Sequence, residues 1–144
     1  MVTDDGTPDQ SVLLTLQRAT HATLHRLSTE LADLDLKASE LNALANLADG
    51  RGRTVSQLAA LVGARPTTLT SVLDRLERRG LITRGTLAGD RRSVLVELTG
   101  PGRVTADTVR QALTDLEDRA LGELPAAAVA GFHEVLRALV AVAS

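Results

Sequence analysis

The chain has 144 residues, 44% of them apolar but only 1% aromatic, with no cysteine and a formal net charge of −2. The missing cysteines exclude disulfides, thiol redox sensing and thiolate metal sites. One Phe and no Trp or Tyr leave a core of Leu, Val and Ala, which at this length favours one mainly helical domain.

Residues 1–9 are polar, contain Gly6 and Pro8, and read as a flexible tail. The N-terminal MVTDDGTPDQ has no basic and apolar targeting pattern, and no apolar run is expected to reach the roughly 20 residues that span a bilayer. A cytoplasmic protein without a membrane partner is therefore expected. From about residue 10 to 34, leucines 13, 16, 24, 27, 31 and 34 recur at helical spacing, with a polar break near Thr20. Ser39 is expected to cap a second helix, ELNALANLAD, that Gly50 stops.

Thr54-Val-Ser-Gln57 has the form of a capping box and predicts a short third helix ending at Gly63. Pro66 suits the first turn of a fourth helix, residues 66–79, ending at Gly80. Two short helices joined by Gly63-Ala64-Arg65 make a helix-turn-helix. LITRGT (81–86) and SVLVELT (93–99) then predict a two-stranded hairpin around the loop LAGDRR. Thr99 is expected to cap a helix from about Pro101 to Leu121, and AAAVAGFHEVLRALVAVA closes the chain as a last helix.

Net charge hides an uneven distribution. Residues 51–92 hold nine arginines (51, 53, 65, 75, 78, 79, 84, 91 and 92) against Asp74, Glu77 and Asp90, a local charge of +6 inside a frame of −8. A basic middle of this kind predicts a surface for a large anion, of which nucleic acid is the commonest.

The fourth helix supplies a suitable face. At 100° per residue, Leu69, Val72, Leu73 and Leu76 form the stripe that faces a core. Thr67, Thr70, Ser71, Asp74, Arg75 and Arg78 lie opposite, with Arg65 and Thr68 beside them at the helix start. Small hydroxyl residues near a helix N-terminus permit close approach to phosphates and base edges, and a major groove is wide enough to admit such a helix. A hairpin that directly follows a recognition helix is a wing. Arg91 and Arg92 on that wing would meet the neighbouring minor groove, whose negative potential attracts arginine, and Arg84 and Asp90 belong to the same DNA-binding set.

SVLDRLERRGLITR (71–84) and GDRRSVLVELT (89–99), the latter with a D-x-R pattern at Asp90 and Arg92, resemble the MarR family of bacterial transcriptional regulators. The resemblance implies a winged helix-turn-helix with a helical dimerisation region, mainly α with a small β-hairpin wing. It implies a dimerisation helix over 10–37, a DNA-binding region over 38–99 and further dimerisation helices over 100–144. It also implies a homodimer that binds a pseudo-palindromic operator on double-stranded DNA, with Asp90 orienting Arg92. Repression released by a small-molecule effector is the family's commoner mode. No cofactor is implied.

Members of the family commonly take small aromatic acids, but Phe132 is the only aromatic residue available here, so the effector stays unassigned. His21 and His25 at i and i+4 share a helix face and could hold a metal if Glu30, Asp33 or His133 completed the set. That makes a metal-responsive regulator an alternative. A solvated or interfacial histidine pair is the simpler reading, so no metal is assigned. A helical protein-interaction module without DNA binding is the alternative from another class. Catalysis is not expected, because no nucleophile–base set or phosphate-loop glycine pattern is present.

Overall fold

The computed structural model describes residues 11–143 apart from Ala88, and only the backbone of residues 87 and 90–92. The expected tail, residues 1–9, lies outside the described residues. Two compact units divide the chain between Ala112 and Leu113, within one long helix.

The first unit opens with α1, Val12–Glu30, which Ser11 caps by accepting the Leu14 amide at 3.3 Å. No break occurs near Thr20. The hydroxyls of Thr20 and Thr23 donate to the carbonyls of Leu16 and Ala19, each at 2.9 Å, so these polar residues are satisfied inside a continuous helix. A short 3₁₀ turn, Ala32–Leu34, follows and ends at Asp35, whose φ of 53° lies in the left-handed region.

Helix α2 spans Ala38–Ala45. Ser39 is not its cap, because the helix begins earlier: the Glu40 carboxylate accepts the Lys37 amide at 2.8 Å, which makes Lys37 the capping residue. The helix also ends before Gly50. Leu47 and Gly50 donate to carbonyls three residues back, at 3.0 Å each, a tightened turn that carries Leu47 into the core.

Helix α3, Val55–Val62, starts from the expected reciprocal Thr54–Gln57 box, at 3.1 and 3.0 Å, and stops at Gly63 with φ 74°. Helix α4, Pro66–Arg78, buries Leu69, Val72, Leu73 and Leu76, the stripe read from the sequence. These pack with Leu44, Leu47, Leu58, Ile82, Val96 and Ala106 into one apolar cluster. A fully buried leucine is worth ~1.5–3 kcal/mol, so this cluster is the main stabilising feature of the unit.

Among the described residues the sheet has three strands rather than two, with Asp90–Leu98 (β3) between Arg53–Thr54 (β1) and Ile82–Leu87 (β2). Strand β1, Arg53–Thr54, pairs antiparallel with β3 and was not expected, since two residues show no periodicity. Strands β2, Ile82–Leu87, and β3, Asp90–Leu98, leave residues 88–89 between them, not the expected six-residue loop. The register runs evenly from Ile82↔Leu98 to Thr86↔Val94, then jumps to Leu87↔Asp90. Strand β3 thus advances four residues while β2 advances one, which corrects the placement of Arg91 and Arg92. Their backbone belongs to a bulged stretch of β3 and not to a connecting loop.

Helix α5, Gly100–Leu121, is capped by Thr99, whose hydroxyl accepts the Gly102 amide at 3.0 Å and donates to the Gly80 carbonyl at 2.6 Å. Gly102 is buried, and a Cβ there would collide with the Leu81 carbonyl.

In the second unit, α6 spans Ala126–Ala143 after a turn closed by Leu124 donating to Leu121 at 3.0 Å. No described residue of α6 is buried, and Phe132 is 50% exposed. With 18 residues and a mean hydropathy of 1.6, α6 is long and apolar enough by length and composition to cross a membrane. That corrects the expectation that no run approaches this length.

Candidate nucleic-acid interface

The polar side of α4 presents Thr67, Thr68, Thr70, Ser71, Asp74 and Arg78 to solvent, with Arg65 exposed immediately before the helix. The Thr70 hydroxyl donates to the Pro66 carbonyl at 2.9 Å, so its oxygen is held in place with acceptor capacity remaining. The first-turn amides of α4 carry the positive end of the helix dipole at the same place. Hydroxyls, amides and arginines therefore coincide on one face.

Several of the nine arginines behave differently from a solvated basic stripe. Arg75 turns inward: its Nε donates to Glu40 Oε2 at 2.7 Å, and the Glu40 side chain is only 5% exposed. Burial pushes the Glu40 carboxyl up, but the Lys37 amide and the Arg75 guanidinium outweigh it and hold the carboxyl below its ordinary value. Arg79 donates to the carbonyls of Leu34 (2.9 Å) and Asp35, closing the left-handed turn at Asp35 against α4. Arg53 forks onto both Asp49 oxygens at 2.8 and 2.7 Å and donates to the Asn46 carbonyl at 2.9 Å. That fork, helped by the Arg51 amide, lowers the Asp49 carboxyl well below its usual range.

Arg84, on β2, places Nη2 at 2.7 Å from both Asp74 Oδ1 and Glu77 Oε1. Those hydrogen bonds, Glu77 foremost, raise its already high affinity for a proton. The side chains of Asp90, Arg91 and Arg92 lie outside the described residues. Of the sequence-derived set, Arg65, the hydroxyl residues and Arg78 share one exposed face, while Arg75 is engaged with the buried Glu40 and Arg84 with Asp74 and Glu77 of α4.

Glu40, Asp49 and Arg79 were missed in the sequence. Glu40 had a signal: an acid inside the apolar ASELNALANL needs a buried cation or a cap to be tolerated. An open cavity of about 570 Å³ between the Ala32–Lys37 segment and α4 is lined by Lys37, Arg75, Arg78 and Arg79 together with Asp35 and Glu40. Four cations against two carboxylates suit an anionic occupant.

His21 and His25 are both exposed on α1, and Glu30 accepts from Arg26 at 2.6 Å. His133 lies on α6 with its ring 6.4 Å from that of Phe132. Among the described residues, no group of three or more His, Cys, Asp or Glu could hold a metal ion.

Residues 36–94, from the end of the 3₁₀ turn into β3, match the model of the MarR family. The HTH-type transcriptional regulator PecS of Dickeya dadantii is 37% identical over 95 residues, covering 63% of this chain and 57% of PecS. The chain spans about half the length of the curated relatives it matches. A MarR-family transcriptional regulator from Silicibacter pomeroyi superposes with a TM-score of 0.77 at 25% identity, covering 88% and 86% of the two chains. The MepR–DNA complex of S. aureus shares the fold, with a TM-score of 0.82 at 18% identity over 94% of this chain and 100% of that one. The helix-turn-helix and most of the wing thus lie in the part of the chain that is similar to the MarR family.

Proposed function

We propose that this chain is a sequence-specific double-stranded DNA-binding transcriptional regulator acting as a homodimer. One observation carries the reading: the hydroxyl-bearing, arginine-flanked face of α4 is exposed, and the Arg84–Asp74 contact sets the wing strand β2 beside it. Helix α4 would enter the major groove through Arg65, Thr67, Thr68, Thr70, Ser71 and Arg78. The wing, with Asp90, Arg91 and Arg92, would follow the duplex to the minor groove.

Dimerisation is supported by apolar surface that a single chain leaves open. On α1, Val12, Leu13, Leu14 and Leu24 are exposed, and so are Phe132, Val135, Val140 and Val142 on α6. A partner chain suits α6 better than a bilayer does, because Glu134 and Arg137 lie near its middle, where ionised groups are costliest in a membrane. A cytoplasmic, non-catalytic protein follows from the same reading. Two-fold symmetry then implies a pseudo-palindromic operator with half-site centres ~34–36 Å apart.

Repression released by an anionic effector fits the cation-lined cavity, since Arg75, Arg78 and Arg79 belong both to its wall and to the recognition helix or its cap. Fluorescence-anisotropy titration against DNA from upstream of its own gene and a scrambled control, at several salt concentrations, tests the whole reading. A salt-sensitive preference for the upstream DNA is expected. A folded dimer that binds neither duplex at low salt would overturn it.

A further inference from the structure

Arg84, expected from the sequence to contact DNA, has surroundings unlike those of a DNA contact. Its side chain is only 22% exposed, whereas the carboxylates it bridges, Asp74 and Glu77, are 50% and 41% exposed. Asp74 and Glu77 stand three residues apart on α4, one turn of the helix, so a single guanidinium fork spans both. The two acids neighbour Ser71 and Arg78 on the surface that would face phosphates, where uncompensated carboxylates would repel DNA.

Arg84 sits in β2 opposite Val96 of β3, which is fully buried, so its backbone is anchored in the core while its side chain grips the helix. Between α4 and β2 the chain passes only Arg79, Gly80 (φ 74°) and Leu81. The side-chain bridge therefore closes a short covalent hinge.

We propose that Arg84 is a positioning residue: by bridging Asp74 and Glu77 it fixes the angle between the recognition helix and the wing, and it does not itself contact DNA. This rests on the DNA-binding reading above. Arginine is required for the double bridge, because lysine offers a point charge in place of a planar fork. The recognition helix and wing then meet adjacent grooves as one rigid body.

The test uses full-length protein and duplexes enriched from a random-sequence pool by the wild type, compared across R84Q, R84K, D74N/E77Q and the triple variant R84Q/D74N/E77Q. R84Q is expected to bind about 10-fold more weakly with an unchanged salt slope, and R84K to fall between it and the wild type. D74N/E77Q should also lose about 10-fold, although it sheds two negative charges. The triple variant, one charge more positive than the wild type, should be no better than either.

Binding by D74N/E77Q or the triple variant as tight as the wild type would overturn the proposal. So would a salt slope that drops by about one in R84Q, the mark of a lost phosphate contact. If R84Q does not fold, R84K and D74N/E77Q decide the matter, since neither removes the arginine's charge without replacement. A wild type that enriches no duplex would remove the DNA reading and this inference with it, an outcome distinct from enrichment followed by tight D74N/E77Q binding.

Discussion

Glu40 and Arg75 hold α2 and α4 together through one carboxylate used twice. One oxygen accepts the Lys37 amide at 2.8 Å and starts α2, and the other accepts Arg75 Nε at 2.7 Å and anchors α4. Residues 35 positions apart thereby fix α4 on the core.

Replacing Glu40 by Ala should destabilise the protein by about 1–3 kcal/mol, because it leaves the Arg75 guanidinium and the Lys37 amide without their buried acceptor. Chemical denaturation at neutral pH measures this. The pH dependence has a definite sign. The Glu40 carboxyl titrates below its ordinary value of 4.5, so its contribution is present above that value and is lost as pH falls through the lower, folded value. Wild type and Glu40→Gln should therefore converge in stability in acid. A difference that stays constant from neutral pH to strong acid would contradict the ion pair.

Arg92→Ala should weaken binding to an operator by ~1–3 kcal/mol with folding intact, if the wing arginine enters a minor groove. Ser71→Ala should instead narrow the gap between operator and scrambled duplex. Anisotropy titrations of both variants on the two duplexes separate these effects, and a uniform loss on every sequence would make Ser71 a phosphate contact.

Gly102→Ala should cost about 1–3 kcal/mol, since the added methyl group meets a backbone carbonyl that cannot move as a flexible side chain would. Thermal unfolding would show the loss directly. A variant as stable as the wild type would mean that α5 shifts freely against the turn at Leu81.

Introducing charge on α6, as in Phe132→Glu with Val135→Glu, should shift the proposed dimer toward monomer. Both residues are exposed in the single chain, at 50% and 43%, and a carboxylate in an apolar interface is desolvated without a partner. Sedimentation velocity across a concentration series measures the change. Dimers of unaltered affinity would place the interface elsewhere.

By itself the sequence determined most of the local structure. The Thr54–Gln57 box, Pro66, Gly63, Gly80 and Thr99 set their helix ends through contacts within a few residues, and the leucine stripe of α4 fixed which face is buried. Such signals are short-range and survive in a linear string. Tertiary structure decided what had no local signature: β1 exists because β3 offers it a partner, and Glu40 is tolerated in the core because Arg75 reaches it from α4. It also divided the arginines. The sequence located a basic segment, but an arginine's reach is long enough to turn inward, and only the fold brought Glu40, Asp74 and Glu77 within 2.7 Å of Arg75 and Arg84.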